Sequence, residues 1–357
     1  MNQIRAVVID DSAFMRKSIS IMLESDGSIK VIGTARDGEE GFKLVQSLNP
    51  DIVTLDIEMP KMDGLTALKK IMNDCPTSVI MISSITTEGA DATLKALELG
   101  AVDFIPKELS YVNVNIINIK EDLIRRVKEI VKQRSLKERI NRLNRIKSNT
   151  PDPQVKYPIE SYLPPNNYKA IALGISTGGP MTLQRILPEI SPNINCPFFI
   201  VQHMPPKFTK SLADRLNSMC KLTVKEAEDK EIININTVYI APGGYHMTVS
   251  KKTNCSCYID ISDKPIDTIH RPSVDVMFNS IAENYGKNII GIIMTGMGKD
   301  GLIGIQQIKN KGGYCISQNE ESCVVYGMPK AIVDAGLADI ISPLEKIPII
   351  INKAFVI

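Results

Sequence analysis

Short apolar runs alternate with helical patterns over the first third of the chain. The runs Ala6–Ile9 and Asp51–Leu55 have the length of buried strands, and segments such as Ala13–Leu23 and Gly64–Met72 carry apolar residues at helical spacing. Five such units of strand and helix fit within residues 1–122. Short buried strands separated by helices are typical of a parallel sheet covered by helices on both faces. We therefore predict an α/β domain over residues 1–122.

A basic helical pattern and a proline-rich stretch follow this domain. Residues 123–147 keep apolar positions at helical spacing and are rich in Lys and Arg. A solvated helix face is the plainest interpretation of this charge, and contact with an acidic partner or with nucleic acid are the alternatives. Residues 148–167 are rich in Pro and Asn, which favours an unpacked connection. We predict that residues 123–165 link two domains.

A second alternating series fills residues 166–357. Its main strands are predicted at the apolar runs 170–175, 198–201, 222–226 and 289–294. The runs Val238–Ile240 and Tyr258–Ile261 flank a polar stretch, which predicts a β-hairpin insert. Two further runs, 313–316 and 338–341, are predicted as edge strands. The second domain is expected to be a doubly wound, mainly parallel α/β fold with this hairpin added.

Composition limits what such a protein binds and where it works. The formal net charge of +2 indicates no overall attraction to nucleic acid, and no apolar run is long enough to cross a membrane. The seven Cys are scattered, and the lone C-x-C of Cys255 and Cys257 lacks the second half of a zinc site. Reduced thiols and a start without a signal-peptide pattern indicate a cytoplasmic protein without membrane insertion.

Charged and hydroxyl side chains come directly after the predicted strands of the first domain. Asp10 and Asp11 follow the first strand, Asp56 the third, Ser83 the fourth and Lys107 the fifth. The carboxyl ends of neighbouring parallel strands meet in one crevice, so these side chains are expected to lie together. Grouped carboxylates suit Mg²⁺, and a hydroxyl and an ammonium can hold phosphate oxygens. The pocket therefore permits phosphoryl transfer to a carboxylate.

These residues resemble the receiver domain of two-component response regulators, which has a flavodoxin-like (βα)5 fold. The resemblance rests on Ile9-Asp10-Asp11-Ser12, Leu55-Asp56-Ile57-Glu58-Met59-Pro60, Met62-Asp63-Gly64 and Ile105-Pro106-Lys107. It implies that Asp56 is the phosphoacceptor and that a histidine kinase is the phosphodonor. The other roles that it implies are Mg²⁺ ligands (Asp10, Asp11, Asp56 and the backbone carbonyl of Glu58), the switch hydroxyl (Ser83) and the phosphate partner (Lys107). Glu108 departs from the family pattern, because receivers usually have Pro after this Lys.

A glycine-rich turn stands where the first strand of the second domain ends. Gly174-Ile175-Ser176-Thr177-Gly178-Gly179-Pro180 satisfies the pattern G-x-S-x-G, whose glycines permit a sharp turn that lifts a serine hydroxyl above the sheet edge. A phosphate-binding loop is the alternative, because a glycine-rich turn that opens a helix also suits anions. The turn lacks the patterns G-x-G-x-x-G and G-K-[ST], which favours Ser176 as a nucleophile.

A serine nucleophile needs a base, and the chain has three His, all in the second domain. His203 follows the next strand, whereas His246 lies in the predicted hairpin, where it could line the cleft, and His270 in a loop. Asp300 stands in a glycine-rich turn after a buried strand and could hold the His203 imidazole. Backbone N–H groups around Met297 in the same turn could hold an oxyanion.

Five motifs in the second domain resemble the chemotaxis methylesterase (CheB) family. Besides the serine turn they are Gln202-His203-Met204-Pro205, Ala241-Pro242-Gly243-Gly244-Tyr245-His246-Met247, Arg271-Pro272-Ser273-Val274-Asp275 and Thr295-Gly296-Met297-Gly298-Lys299-Asp300-Gly301. The resemblance implies removal of methyl groups from glutamyl esters of chemoreceptors, with methanol release, and deamidation of receptor glutamines. The residue roles that it implies are a catalytic triad (Ser176, His203 and Asp300), an oxyanion site (Met297 and the region of His203) and support by Thr177. No cofactor is implied for the ester chemistry.

A receiver joined to a hydrolase implies control of access to the cleft. We expect the unphosphorylated receiver to cover the cleft and phosphorylation at Asp56 to open it. The alternative class is a receiver joined to a non-catalytic output domain. A DNA-binding output would be short and basic, whereas this second domain is long and α/β. A silent docking protein would lack one of the three triad residues, and all three are present.

Overall fold

The computed structural model describes residues 3–107, 119–135, 163–164, 167–251 and 257–355. These residues belong to two compact units, Met1–Leu143 and Asn144–Ile357. Glu108, Cys255 and residues 136–162 of the predicted linker lie outside the described residues. Within the described part of the chain, no helix is long and apolar enough to cross a membrane.

The first unit is built on a five-stranded parallel sheet in the order β2-β1-β3-β4-β5. Its strands are β1 (Ile4–Ile9), β2 (Ile29–Ala35), β3 (Ile52–Asp56), β4 (Ser78–Ser83) and β5 (Asp103–Pro106). Its helices are α1 (Ala13–Glu24), α2 (Gly38–Leu48), α3 (Gly64–Asp74), α4 (Thr87–Glu98) and α5 (119–135). This order confirms the predicted flavodoxin-like (βα)5 fold.

Strand burial and helix capping explain why these elements form. β3 and β4 are buried at every residue, which suits central strands covered by helices on both faces. Each of the helices α1 to α4 begins after a residue whose side chain accepts a hydrogen bond from a backbone N–H of the first turn. These capping residues are Ser12, Asp37, Asp63 and Thr86. Because each cap comes after the end of a strand, the carboxyl edge of the sheet carries many polar side chains.

Helix α5 is part of the first unit and buries its apolar face within it. Leu123, Val127 and Ile130 are buried. The Arg126 guanidinium donates to the Asp103 carboxylate at 2.5 Å. The first part of the predicted linker is therefore packed against the first unit, and the domain boundaries drawn from the sequence stay predictions.

The second unit contains a seven-stranded sheet in the order β14-β13-β12-β6-β7-β9-β8, in which every pair is parallel. Its strands are β6 (Ala170–Ile175), β7 (Phe198–Gln202), β8 (Thr223–Glu226), β9 (Thr237–Ile240), β12 (Ile289–Ile293), β13 (Tyr314–Gln318) and β14 (Ile340–Ser342). A separate antiparallel pair consists of β10 (His246–Lys251) and β11 (Cys257–Ser262). The helices are α6 (Gly179–Ile186), α7 (Phe208–Met219), α8 (Val274–Tyr285), α9 (Leu302–Asn310), α10 (Met328–Asp334) and α11 (Ile347–Ala354). The predicted doubly wound α/β fold is confirmed.

Two details of the predicted second domain are wrong. The expected hairpin partner Val238–Ile240 belongs to β9, which lies inside the large sheet between β7 and β8, and β10 pairs with β11 instead. β9 is buried at every residue, so it suits a sheet interior rather than an exposed hairpin. The run 313–316, predicted as an edge strand, belongs to β13, which lies between β12 and β14.

The direction of chain progression across the large sheet reverses at β6. β7 lies on one side of β6 and β12 on the other. In doubly wound sheets, the crevice beyond the carboxyl ends of the strands at such a switch point is where ligands bind. Ser176, His203 and Asp300 follow β6, β7 and β12, so the topology brings all three to this crevice.

Candidate functional site

The ends of β6 and β7 place Ser176 and His203 side by side along the backbone. Ile175 and Gln202 are partners in the register of the two strands. The backbone N–H of His203 donates to the Ile175 carbonyl at 3.3 Å, and the Gln202 side-chain amide donates to the Ser176 carbonyl at 3.1 Å. Ser176 is 8% exposed. The two candidate residues therefore stand next to each other at the edge of the sheet.

Glycine is required in the serine turn because neighbouring groups fill the space of a side chain. A Cβ at Gly179 would lie 1.8 Å from Oε1 of Gln202. Gly178 has a φ of 76°, which glycine adopts with little strain. Pro180 follows in the first turn of α6. The strand thus turns sharply into a helix, as the G-x-S-x-G pattern predicts.

His203 and Asp300 form a hydrogen-bonded pair. Nε2 of His203 lies 2.8 Å from Oδ2 of Asp300, with the two side chains 7% and 10% exposed. Burial by itself raises the pKa of Asp300, but the His203 ring and the backbone N–H groups of Asp275 and Val274 hold it below its usual range. Nδ1 of His203 is buried and has no hydrogen-bond partner among the described residues. One ring nitrogen is thus bound to a carboxylate, and the other is left to exchange a proton.

The N-terminus of α8 holds the Asp300 carboxylate. Oδ1 accepts hydrogen bonds from Ser273 Oγ and from the backbone N–H of Asp275, both at 3.0 Å. Oδ2 accepts from the backbone N–H of Val274 at 2.8 Å. The unpaired N–H groups and the dipole of a first helical turn favour an anion in this place. The position therefore stabilises Asp300 in its ionised form.

The loop after β12 packs against the serine turn. The backbone N–H of Ser176 donates to the Thr295 carbonyl at 3.0 Å, and the Thr295 hydroxyl donates to the Thr177 carbonyl, also at 3.0 Å. A Cβ at Gly296 would lie 2.9 Å from Cβ of Ser176, so only glycine allows this approach. Met297 follows and is 7% exposed. The loop therefore brings the Met297 backbone into the neighbourhood of Ser176.

The other two histidines have different surroundings. His246 is completely buried, so it does not line an open cleft as the sequence suggested. Its Nδ1 accepts from the backbone N–H of Ser273 at 3.2 Å, and burial lowers its pKa. The ring of His270 stacks on that of His203 with centroids 4.2 Å apart. His270 therefore covers one face of the His203 ring.

Three contacts of the site were missed by sequence reasoning, at Ser273, Asp275 and Gln202. All three residues lie in recognised motifs, but the contacts of Ser273 and Asp275 with Asp300 and that of Gln202 with Ser176 join segments that are far apart in the sequence. A serine before an apolar helical run is a capping signal, and it could have predicted the start of α8. Nothing in the sequence indicates what that helix start faces.

The first unit brings its carboxylates together at the edge where β1 and β3 end. Carboxylate oxygens of Asp10, Asp11 and Asp56 lie within 4.8 Å of one another. Nζ of Lys107 lies 2.7 Å from Oδ2 of Asp56 and 3.4 Å from Oδ2 of Asp10. Burial, and then the charge of Asp10, raise the pKa of Asp56 to about 6 against the opposing effect of Lys107. This is the acidic grouping that the strand-end argument predicts.

A divalent cation fits this group. Oδ2 of Asp10 and Oδ2 of Asp56 are buried and accept no well-oriented hydrogen bond from the described residues. Two buried carboxylates beside one ammonium leave negative charge that a cation can balance. Oxygen ligands of this kind are those that Mg²⁺ takes in proteins. Glu58, two residues beyond Asp56, has an exposed side chain.

Ser83 ends β4, and its hydroxyl is bonded to α4. Its Oγ donates to the Gly89 carbonyl at 3.1 Å and accepts from Oγ1 of Thr93 at 2.7 Å. The residue is fully buried. A phosphoryl group that recruited this hydroxyl would therefore compete with its bonds to α4.

Comparison with known proteins gives matches for both units. Residues 171–351 match the family described as CheB methylesterase, and residues 6–115 match the response regulator receiver domain. A protein of Nitratidesulfovibrio vulgaris named protein-glutamate methylesterase/protein-glutamine glutaminase 2 is 46% identical over 367 residues, covering 96% of each chain. A Pyrococcus horikoshii protein named protein-glutamate methylesterase/protein-glutamine glutaminase is 44% identical over 357 residues, covering 99% of this chain and 94% of that one.

A solved structure supports the fold. The crystal structure of the Thermotoga maritima CheB methylesterase catalytic domain is 42% identical, covers 53% of this chain and 99% of that chain, and has a TM-score of 0.51. The relatives match nearly the full length, and the two family matches follow each other in the order predicted from the motifs. The chain therefore belongs to the CheB family of protein-glutamate methylesterases/protein-glutamine glutaminases, with a receiver domain ahead of the methylesterase domain.

Proposed function

We propose that the second unit hydrolyses γ-methyl esters of glutamate side chains on chemoreceptors, releasing methanol, and deamidates particular receptor glutamines. The names of the relatives support this activity. The observation that carries the proposal is the buried pair of His203 and Asp300, 2.8 Å apart, beside the turn that bears Ser176. A hydroxyl, an imidazole and a carboxylate in this order are the groups of a serine hydrolase. The reaction would serve adaptation in chemotaxis.

In the proposed reaction, Ser176 Oγ attacks the ester carbonyl carbon while Nδ1 of His203 accepts the hydroxyl proton. Asp300 stays ionised and stabilises the imidazolium that forms. The bond between the acyl carbon and the methoxy oxygen breaks, and His203 gives its proton to the departing methanol. Water then attacks the glutamyl-enzyme with His203 again acting as the base, which frees Ser176.

The proposed oxyanion donor is the backbone N–H of Met297. The N–H of His203 already donates to the Ile175 carbonyl, so it is engaged within the sheet. A fixed donor aimed at the developing charge lowers the barrier without reorganisation during the reaction. Thr177 is proposed to support the site through its carbonyl, which accepts from the Thr295 hydroxyl and ties the two loops together.

The substitution Ser176→Ala tests the nucleophile. We expect methanol release from methylated receptor membranes to fall by on the order of 10³-fold or more, because the remaining groups cannot form the acyl-enzyme. Ser211→Ala, in α7 of the same unit, is the matched control and should keep the wild-type rate. Retained methanol release by the Ser176→Ala protein would exclude Ser176 as the nucleophile.

The first unit is proposed to control this activity through phosphorylation of Asp56 by a histidine kinase. Mg²⁺ would be held by Asp10, Asp11, Asp56 and the backbone carbonyl of Glu58, and it would offset the charge of the transferring phosphoryl group. Lys107 would bind a phosphate oxygen, and the Ser83 hydroxyl would give up its hydrogen bonds to α4 to bind another. The buried carboxylate oxygens and the ammonium 2.7 Å from Asp56 support these roles.

Phosphorylation is proposed to shift a balance between a covered and an accessible cleft toward the accessible arrangement. Access to the cleft is the proposed point of control because the substrate is a protein segment, which needs an open approach to Ser176. A receiver with a non-catalytic output domain is not supported, since the relatives are named as enzymes.

A further inference from the structure

The Asp300 carboxylate has one side-chain hydroxyl donor among the described residues, that of Ser273. Each oxygen of Asp300 accepts two contacts. Oδ2 meets His203 Nε2 and the Val274 N–H, and Oδ1 meets the Ser273 hydroxyl and the Asp275 N–H. The two backbone donors come with the start of a helix whatever the side chains are. The Ser273 hydroxyl is therefore the one of these helix-terminal donors that a side-chain substitution can remove.

Ser273 is in turn positioned by His246. The backbone N–H of Ser273 donates to Nδ1 of His246 at 3.2 Å. Nε2 of His246 lies 3.2 Å from the Pro265 carbonyl and 3.1 Å from Oγ1 of Thr268. With Nδ1 accepting, the ring carries its proton on Nε2 and is neutral. His246 is fully buried and Ser273 is 5% exposed, so the hydrogen bond between these two residues is shielded from water.

We infer that Ser273 is a positioning residue for the pair of His203 and Asp300, and that neutral His246 holds Ser273 in place. This inference rests on the proposed hydrolase function. Without the hydroxyl, Oδ1 of Asp300 loses one of its two donors, and the carboxylate is less firmly oriented toward His203. Nδ1 of His203 is then aimed less accurately at Ser176, which lowers the rate of the chemical step more than substrate binding.

A purely structural role of Ser273 must be separated from this one. Ser273 is also the N-cap of α8, because its Oγ accepts from the Val276 N–H at 3.4 Å. Loss of a cap lowers stability but does not by itself lower the turnover of folded protein. Ser280 on the same helix is a matched control. Its hydroxyl accepts from the Val249 N–H at 3.1 Å and donates to the Met277 carbonyl at 2.8 Å, and neither bond involves Asp300.

The experiment compares Ser273→Ala, Ser273→Thr and Ser280→Ala in the full chain, with methanol release from methylated receptor membranes as the assay. Ser273→Ala should lower kcat by about 10- to 100-fold with KM unchanged, as expected for one hydrogen bond to a charged group. Ser273→Thr keeps a hydroxyl and a cap, so it should restore most of kcat. Ser280→Ala should keep the wild-type kcat even if its melting temperature falls. A Ser273→Ala kcat within twofold of wild type would overturn the inference.

A readout without substrate separates this inference from the proposed function. The proton between His203 Nε2 and Asp300 should give a downfield NMR resonance that broadens in Ser273→Ala and persists in Ser280→Ala. An unchanged resonance in Ser273→Ala would also count against the inference. Failure of the proposed function would appear elsewhere, as methanol release that survives Ser176→Ala.

Two substitutions of His246 test whether it positions Ser273. The side-chain oxygen in His246→Asn can still accept from the Ser273 N–H, whereas His246→Leu leaves that buried donor without a partner. We expect kcat to be closer to wild type in His246→Asn than in His246→Leu. Equal kcat values in the two folded variants would contradict the role of His246 in positioning Ser273.

Discussion

At the scale of single residues, the pKa values of two neighbouring carboxyl groups, Asp275 and Asp300, are shifted in opposite directions. Oδ1 of Asp275 accepts from the Gly304 N–H at 2.7 Å. Burial, and then the nearby Asp300 charge, raise the pKa of Asp275 to about 6. The pKa of Asp300 is instead held below its usual range by His203 and the N–H groups of α8. As the pH falls, Asp275 therefore binds a proton before Asp300 does, and Asp300 stays charged to pair with His203.

This difference predicts a pH-dependent stability that Asp275→Asn removes. The pKa of Asp275 in the folded state, about 6, lies above the ordinary aspartate value of 3.8, so the folded protein binds the proton more tightly. The stability that it contributes is complete below about pH 4 and is lost as the pH rises toward 6. Relative to the Asn variant, the free energy of unfolding of the wild type should therefore fall over this window. Urea titrations from pH 4 to 7 measure it, and a constant difference between the two proteins would contradict it.

At the scale of elements, the loop after β12 joins the serine turn to the segment that leads into α10. Gly296 N–H donates to the Val325 carbonyl, and the Gly296 carbonyl accepts from the N–H of Gly327 and of Met328. The Thr295 hydroxyl accepts from the N–H groups of Val324 and Val325 at 3.0 Å. The loop after β12 is thus bonded to the serine turn on one side and to residues 324–328, which lead into α10, on the other.

A side chain at residue 296 should disturb this loop. In Gly296→Ala the Cβ would lie 2.4 Å from Met328 Sδ and 2.9 Å from Ser176 Cβ. We expect a loss of about 1–3 kcal/mol in the free energy of unfolding from overpacking, and a fall in kcat because Ser176 and the Met297 N–H shift apart. Gly27→Ala is the control, since a Cβ there meets nothing within 4 Å. Urea unfolding and methanol release measure both effects, and wild-type activity in Gly296→Ala would contradict the close packing.

At the scale of the whole molecule, each unit has its polar site at the carboxyl edge of its own parallel sheet. We propose phosphoryl transfer to Asp56 at one site and acyl transfer to Ser176 at the other. A chain that carries both can make hydrolysis depend on phosphorylation without new chemistry in either site.

Replacement of the phosphoacceptor should uncouple the two units. In Asp56→Asn, methanol release should stay at the basal rate when acetyl phosphate and Mg²⁺ are added, whereas the wild type should be stimulated. Asp91→Asn, an exposed position on α4, is the control and should respond like the wild type. Equal stimulation of the Asp56→Asn protein would exclude Asp56 as the phosphoacceptor that controls the hydrolase.

The sequence by itself determined the two α/β units and most of the candidate residues. Apolar runs report strands directly, and the carboxyl ends of parallel strands converge, so Ser176, His203 and Asp300 could be grouped from the order of strands and motifs along the chain. Only the tertiary structure decided that β9 lies inside the large sheet, that His246 is buried, and that Ser273 at the N-terminus of α8 donates to the Asp300 carboxylate. These features depend on how the strands are ordered in the sheet, on side-chain direction and on contacts between distant segments, none of which local patterns of polarity encode.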